Sequence, residues 1–111
     1  MFVFADRRTG AALGMAGPWF PEGWPERELG WSVWQGAAEG KGYAFEAAST
    51  ARDFAFGALG WDTAVSYVAA DNARSAALAE RLGAVHDPGA AHPVSDKPMR
   101  VYRHPNPTRA A

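Results

Sequence analysis

All eight prolines of this chain fall in two stretches, at 18–25 and 88–107, and none stands between them. Proline lacks a backbone N–H and fixes φ, so it interrupts helices and central strands. Regular structure therefore has its longest uninterrupted run in the middle of the chain, and the two proline-rich stretches read as loop-rich. At 111 residues the chain is sized for one domain. Apolar residues at 48% and charged residues at 21% make that domain globular, not disordered. Eleven basic against twelve acidic side chains give a formal net charge of -1. That balance argues against a nucleic-acid partner bound through bulk charge, because phosphate neutralisation needs a basic surplus.

The chain has no cysteine. Disulfides, thiolate nucleophiles and cysteine-based metal centres are thereby excluded. Met1–Phe4 is followed at once by Asp6-Arg7-Arg8, which is not the order of a signal peptide. The longest mostly apolar window, Ala11–Phe20, is too short to span a bilayer and contains Pro18. A soluble cytoplasmic domain without a membrane partner is expected.

Between the punctuation the apolar pattern sets the elements. Phe2–Ala5 and Ala11–Trp19 read as two strands joined by a turn at Asp6–Gly10. Glu28–Gln35 alternates, with Leu29, Trp31 and Val33 on one face and Glu28, Ser32 and Trp34 on the other. After Gly40-Lys41-Gly42, the residues Ala44, Ala47, Ala48, Ala51, Phe54, Ala55 and Ala58 recur at helical spacing, and Gly57 and Gly60 mark the end. Thr63–Val68 is a strand. Asp71-Asn72 then caps a helix carrying Ala73, Ala76, Ala77 and Leu82 and closed by Gly83. Ala84–His86 is a candidate short strand, Asp87–Pro98 a loop, and Met99–His104 the last strand. The expected order β-β-β-α-β-α-β implies an α/β (α+β) domain over 1–104, with a mixed sheet, two helices and a tail at 105–111.

The glycine-bearing segment Glu39-Gly40-Lys41-Gly42-Tyr43-Ala44 lies between a strand and a helix. Backbone N–H groups turned outward there, with the helix N-terminus behind them, make a phosphate cradle. It is not a Walker loop: Gly36 lies one residue too close and Gly42 stands where a hydroxyl is needed. Nor is it a dinucleotide fingerprint, because Phe45 occupies the last glycine position.

The loop resembles the pyrophosphate-binding motif of the GNAT acetyltransferases, Gln/Arg-x-x-Gly-x-Gly/Ala. Gly42 and Ala44 match its last two fixed positions, and Glu39 departs from the first. Around it stand Glu28-Leu29-Gly30-Trp31, Ser66-Tyr67-Val68, Asp71-Asn72-Ala73-Arg74-Ser75 and Ala79-Glu80-Arg81-Leu82-Gly83-Ala84. The series is similar to the branch of ribosomal-protein alanine N-acetyltransferases and covers roughly residues 1–104. The resemblance implies acetyl-CoA, or a related acyl-CoA, as co-substrate and an amine acceptor. It implies that Val33 and Trp34 lie beside the pantetheine arm, and that Glu39, Gly40, Lys41, Gly42, Tyr43 and Ala44 surround the pyrophosphate. Family members carry a further strand and two helices before the opening hairpin, so against them this chain reads as N-terminally truncated. Either the chain is a truncation of the family's domain, or another chain supplies what is missing.

Acetyl transfer to an amine needs a base for the ammonium proton and an acid for the leaving thiolate. Glu28, at the start of its strand, is the candidate base; a solvated strand-end carboxylate is the plainer reading. Ser75 is the candidate acid, since the family branch carries serine there. The tyrosine that many relatives place four residues later is Ala79 here. Asn72, three residues before Ser75 on one helix face, is either a cofactor contact or only an N-cap. His86, His92 and His104 lack ligand spacing and read as loop histidines, so no metal site is expected. Trp19, Phe20 and Trp24 either shape an acceptor pocket or cover a core edge or dimer contact. Arg52-Asp53 reads as a solvated helix face. The expected function is N-acetyltransfer from acetyl-CoA to a primary amine, by a homodimer that shields the open sheet edge. The alternative is a non-catalytic CoA-binding or interaction module that folds as an oligomer.

Overall fold

The structure, a computed structural model, describes residues 2–5, 10, 12–33 and 43–106. The elements are β1 (Phe2–Ala5), β2 (Ala12–Trp19), β3 (Glu28–Val33), α1 (Tyr43–Gly57), β4 (Ala64–Ala69), α2 (Ala73–Arg81), β5 (Val85–His86) and β6 (Met99–His104). They form the expected mixed sheet with two helices, plus one strand more than the seven-element order. Val85 and His86 pair with Arg103 and Tyr102, which makes β5 a true edge strand. Of the expected first turn only Gly10 is described, with a left-handed φ of 73°.

The sheet runs β1-β2-β3-β4-β6-β5. Two antiparallel units, β1-β2-β3 and β4-β6-β5, meet along one parallel seam between β3 and β4. In the first unit, Gly14 is required by close approach. A Cβ there would collide with the backbone carbonyl of Ser32 and come within 2.9 Å of Phe4 Cζ.

Small side chains let α1 lie against the sheet. Ala48, Ala51 and Ala55 are buried and Phe56 joins them, while Phe54 is half out in solvent against the edge of the Phe2 ring. The expected stripe therefore holds at Ala48, Ala51 and Ala55, is partly covered at Ala44 and Ala47, and fails at Phe54 and at Ala58, which are exposed. On α2 the buried positions are Ala79 and the capping Leu82, with Ala76 partly covered; Ala73 and Ala77 are exposed. Asn72 caps this helix, accepting the Ser75 N–H on Oδ1 at 3.1 Å, and Gly83 follows with φ 86°.

The core has two parts. Leu29, Ala16, Ala51, Phe56 and Ala64 form one, and Val68, Ala79, Ala84 and Tyr102 the other. Trp31 packs on both and joins them. Arg52, expected in solvent, instead reaches across the helices to donate to the Leu82 carbonyl at 3.0 Å, satisfying an open C-terminal carbonyl of α2. Arg81 answers from α2 by lying 4.4 Å from the centre of the Phe45 ring. At the start of the expected tail, Asn106 Nδ2 donates to the Asp62 carbonyl at 3.1 Å; residues 107–111 lie outside the described residues.

Candidate functional site

The seam between β3 and β4 is where the candidate residues gather. The two strands are each six residues long, yet they register at one pair, Glu28 with Val65. Val65 N–H donates to the Arg27 carbonyl at 3.1 Å, and no register pair follows Glu28 with Val65. From Gly30 onward, β3 is paired on its β2 side and open on its β4 side.

Glu28 stands at the closed end of this opening. Its Oε1 accepts the Trp24 indole N–H at 2.9 Å and its Oε2 accepts the Tyr67 backbone N–H at 3.3 Å. Burial raises its pKa above the ordinary carboxylate value, and the two donors oppose that rise. Ser75 lies across the opening, in the first turn of α2. Its hydroxyl oxygen accepts the Trp31 indole N–H at 3.3 Å. That bond leaves the serine proton free to be given elsewhere.

On the helix side of the seam, Ser66 donates to the Leu29 carbonyl at 2.5 Å. His104 Nε2 is 2.7 Å from the same hydroxyl oxygen. Since the serine proton is committed to Leu29, His104 must donate from Nε2, which leaves Nδ1 bare. Nδ1 is buried and has no partner among the described residues. Burial, helped by the positive charge of Arg52, lowers the His104 pKa to about 4, so the ring is neutral. His104 is thus a buried strand residue and His86 an edge-strand residue; of the three expected loop histidines only His92 is in a loop.

The aromatic loop between β2 and β3 is held from the far side of the sheet. Arg103 binds Glu26 through both terminal nitrogens, at 2.9 and 2.8 Å, and also reaches Thr63 Oγ1 at 2.8 Å and Asp87 Oδ2 at 3.0 Å. The bond to Glu26 is the main reason its pKa rises further above the usual arginine value. The Tyr67 hydroxyl accepts the Glu26 N–H at 3.2 Å. Trp24 is thereby set over Glu28, whereas Trp19 and Phe20 remain exposed, with Arg27 5.4 Å from the Phe20 ring centre.

Of the other candidates, Val33 ends β3 opposite Gly14, and Tyr43 and Ala44 begin α1. Trp34, Glu39, Gly40, Lys41 and Gly42 lie outside the described residues. Sequence reasoning missed Trp31, Ser66, Tyr67, Glu26 and Arg103 as parts of the site. A polar Ser66 inside an apolar strand was the one local signal.

A family description, acetyltransferase (GNAT) domain, matches residues 1–85. The chain belongs to the GNAT acetyltransferase family. Among solved structures, this GNAT domain is similar to an acetyltransferase from Agrobacterium tumefaciens, with 47% identity and a TM-score of 0.77 over 86% of this chain and 54% of that one. It is also similar to a putative GnaT-family acetyltransferase from Bordetella pertussis, at 26% identity and TM-score 0.75 over 93% and 64%. A spermidine N-acetyltransferase SpeG chimera from Vibrio cholerae and hSSAT shares the fold, with 20% identity and TM-score 0.65 over 91% and 61%. The chain therefore spans between 54% and 64% of the length of these relatives. No described helix is long and apolar enough to cross a membrane.

Proposed function

We propose that this GNAT domain is a cytoplasmic N-acetyltransferase that uses acetyl-CoA and acts on a primary amine, a protein N-terminus or a small amine. The observation that carries this reading is the open β4-facing edge of β3, beginning at Gly30 beside two groups suited to proton transfer. Unpaired strand backbone can take up the amides of an extended ligand as another strand would. Acetyl-CoA supplies the activated acetyl thioester. Val33 and Trp34 would line its pantetheine arm. Glu39, Gly40, Lys41, Gly42, Tyr43 and Ala44 would bind its pyrophosphate, and Asn72 would face it from the N-terminus of α2.

Glu28 acts as the base. Each carboxylate oxygen accepts one hydrogen bond and keeps a further acceptor site for an ammonium proton. Its raised pKa brings it nearer to the working pH of a general base. Ser75 acts as the acid toward the leaving thiolate. The Trp31 N–H on its oxygen would stabilise the charge left when the serine proton departs. The residue series around Glu28, Asn72 and Ser75 favours the N-terminal-amine branch as the source of the acceptor.

The acetyl-CoA reading is tested by thermal melting. Ligand at one hundred times its dissociation constant should stabilise the fold by about 2.7 kcal/mol, and Gly42→Val should remove that gain. A melting temperature indifferent to millimolar acetyl-CoA ends this reading.

A second reading, a CoA-binding or interaction module that works as an oligomer, is favoured by one feature. Edge strand β1 leaves Phe2 and Val3 56% and 57% exposed. An apolar edge of this kind pairs readily with another chain. Both readings share a homodimer, which light scattering at micromolar concentration would detect. Binding of acetyl-CoA without transfer to any amine would select the module.

A further inference from the structure

The seam between β3 and β4 is opened by a specific exchange of hydrogen bonds. In a parallel ladder the next bond running the same way as Val65 N–H to Arg27 C=O lies two residues further along each strand. It would join Tyr67 N–H to the Leu29 carbonyl. That rung is absent. Both of its groups are nonetheless satisfied, each by a side chain from the opposite strand. Glu28 Oε2 of β3 accepts the Tyr67 N–H at 3.3 Å, and Ser66 Oγ of β4 donates to the Leu29 carbonyl at 2.5 Å. Both main-chain groups of the missing rung are thus satisfied where the strands part, which removes the usual obstacle to breaking a sheet at that point.

We propose that Ser66, held by His104, is a positioning residue for acetyl-CoA. Its hydroxyl wedges the seam so that the β3 edge from Gly30 to Val33 stays open as a backbone-binding strip. This inference rests on the acetyl-CoA reading above and adds to it the residues that shape the strip. His104 has no other polar duty in the described structure: Nε2 donates to Ser66, Nδ1 is bare, and the Trp31 ring meets the imidazole edge to face at 6.1 Å. A buried nitrogen without a partner lowers stability. Its retention fits a histidine kept for the one bond it makes. With Ser66 apolar, Leu29 C=O would lack a donor, and the nearest one is the Tyr67 N–H of the missing rung. The strands would then close on the space the ligand needs.

The test is calorimetric titration of acetyl-CoA into wild type, Ser66→Ala, Ser66→Thr and His104→Leu, each well below its melting temperature. Ser66→Ala and His104→Leu should weaken binding about tenfold, the worth of one good hydrogen bond, and Ser66→Thr should recover it. Labelled protein gives a second readout. Coupling through a hydrogen bond from Tyr67 N–H to the Leu29 carbonyl carbon should be absent in wild type and present in Ser66→Ala. Should Ser66→Ala fail to fold, the near-isosteric Ser66→Cys serves for both measurements. A purely structural role predicts a lower melting temperature with unchanged affinity, and that result in Ser66→Ala or Ser66→Cys overturns the proposal alone. Failure of wild type to bind acetyl-CoA overturns the acetyl-CoA reading and the proposal with it.

Discussion

The indole N–H of Trp31 donates to the Ser75 hydroxyl at 3.3 Å, tying β3 to the first turn of α2 across the open part of the sheet. The serine is therefore oriented from behind by a residue whose ring joins both halves of the core. If Ser75 is the acid, Ser75→Ala should lower turnover by about 10²–10⁴-fold and leave acetyl-CoA affinity nearly unchanged. Trp31→Phe keeps most of the apolar contact and removes only the N–H, so its effect on turnover should be at most about tenfold. Steady-state rates at saturating acetyl-CoA separate the two.

Glu28 offers a pH signature. Burial raises its pKa above the ordinary value of 4.5, and in the proposed role of base it must be unprotonated to work. The acidic limb of kcat/KM should therefore lie at higher pH than for an ordinary glutamate. Glu28→Gln should lose that limb together with most of the activity. A Gln variant with the wild-type rate and profile removes Glu28 from the chemistry.

His104 makes the fold acid-sensitive. Its pKa falls from 6.5 in the unfolded chain to about 4 in the native one. The unfolded chain binds the extra proton between those values, so stability is lost as pH drops from 6.5 towards 4 and levels off below. The full shift corresponds to roughly 3 kcal/mol. The raised pKa of Glu28 acts in the opposite sense, favouring the native state as pH falls. Denaturant titrations across this window should show a smaller loss in a folded His104→Leu variant than in wild type.

Gly14→Ala tests the packing of the first antiparallel unit. The added methyl meets the Ser32 carbonyl, which is backbone and cannot swing aside, and the Phe4 ring. Overpacking of this kind costs about 1–3 kcal/mol. At roughly 4–8 °C per kcal/mol for a domain near this size, calorimetric melting resolves it. A melting temperature equal to wild type would mean that β2 and β3 can part freely.

The fold was largely legible because its signals are local. Phe2–Ala5 and Met99–His104 occupy the strands their apolar patterns predict, and Asn72 and Gly83 bound α2 as expected. The seam was not legible, because it depends on register. Ser66 and His104 stand 38 positions apart and meet only because β4 pairs with β6 through Ala64–His104 and Ser66–Tyr102, which makes them diagonal neighbours. Arg52 misled for a similar reason. Its helix face looks solvated until α2 ends beside it with an open carbonyl. Glu28 and Ser75 are named as candidates through the family pattern, while the indoles that bond to them are visible only once the loop and sheet are assembled.

Arg103 links three parts of the chain that share no local sequence: the loop before β3 through Glu26, the start of β4 through Thr63, and the turn after β5 through Asp87. A guanidinium has one plane and one position, so none of these three can shift far without disturbing the other two. Movement of the Trp24 loop to admit an acceptor would loosen the opposite margin of the sheet, and a substitution at Asp87 would be felt at Glu28. The reach of the site is set by this shared cation more than by distance along the chain.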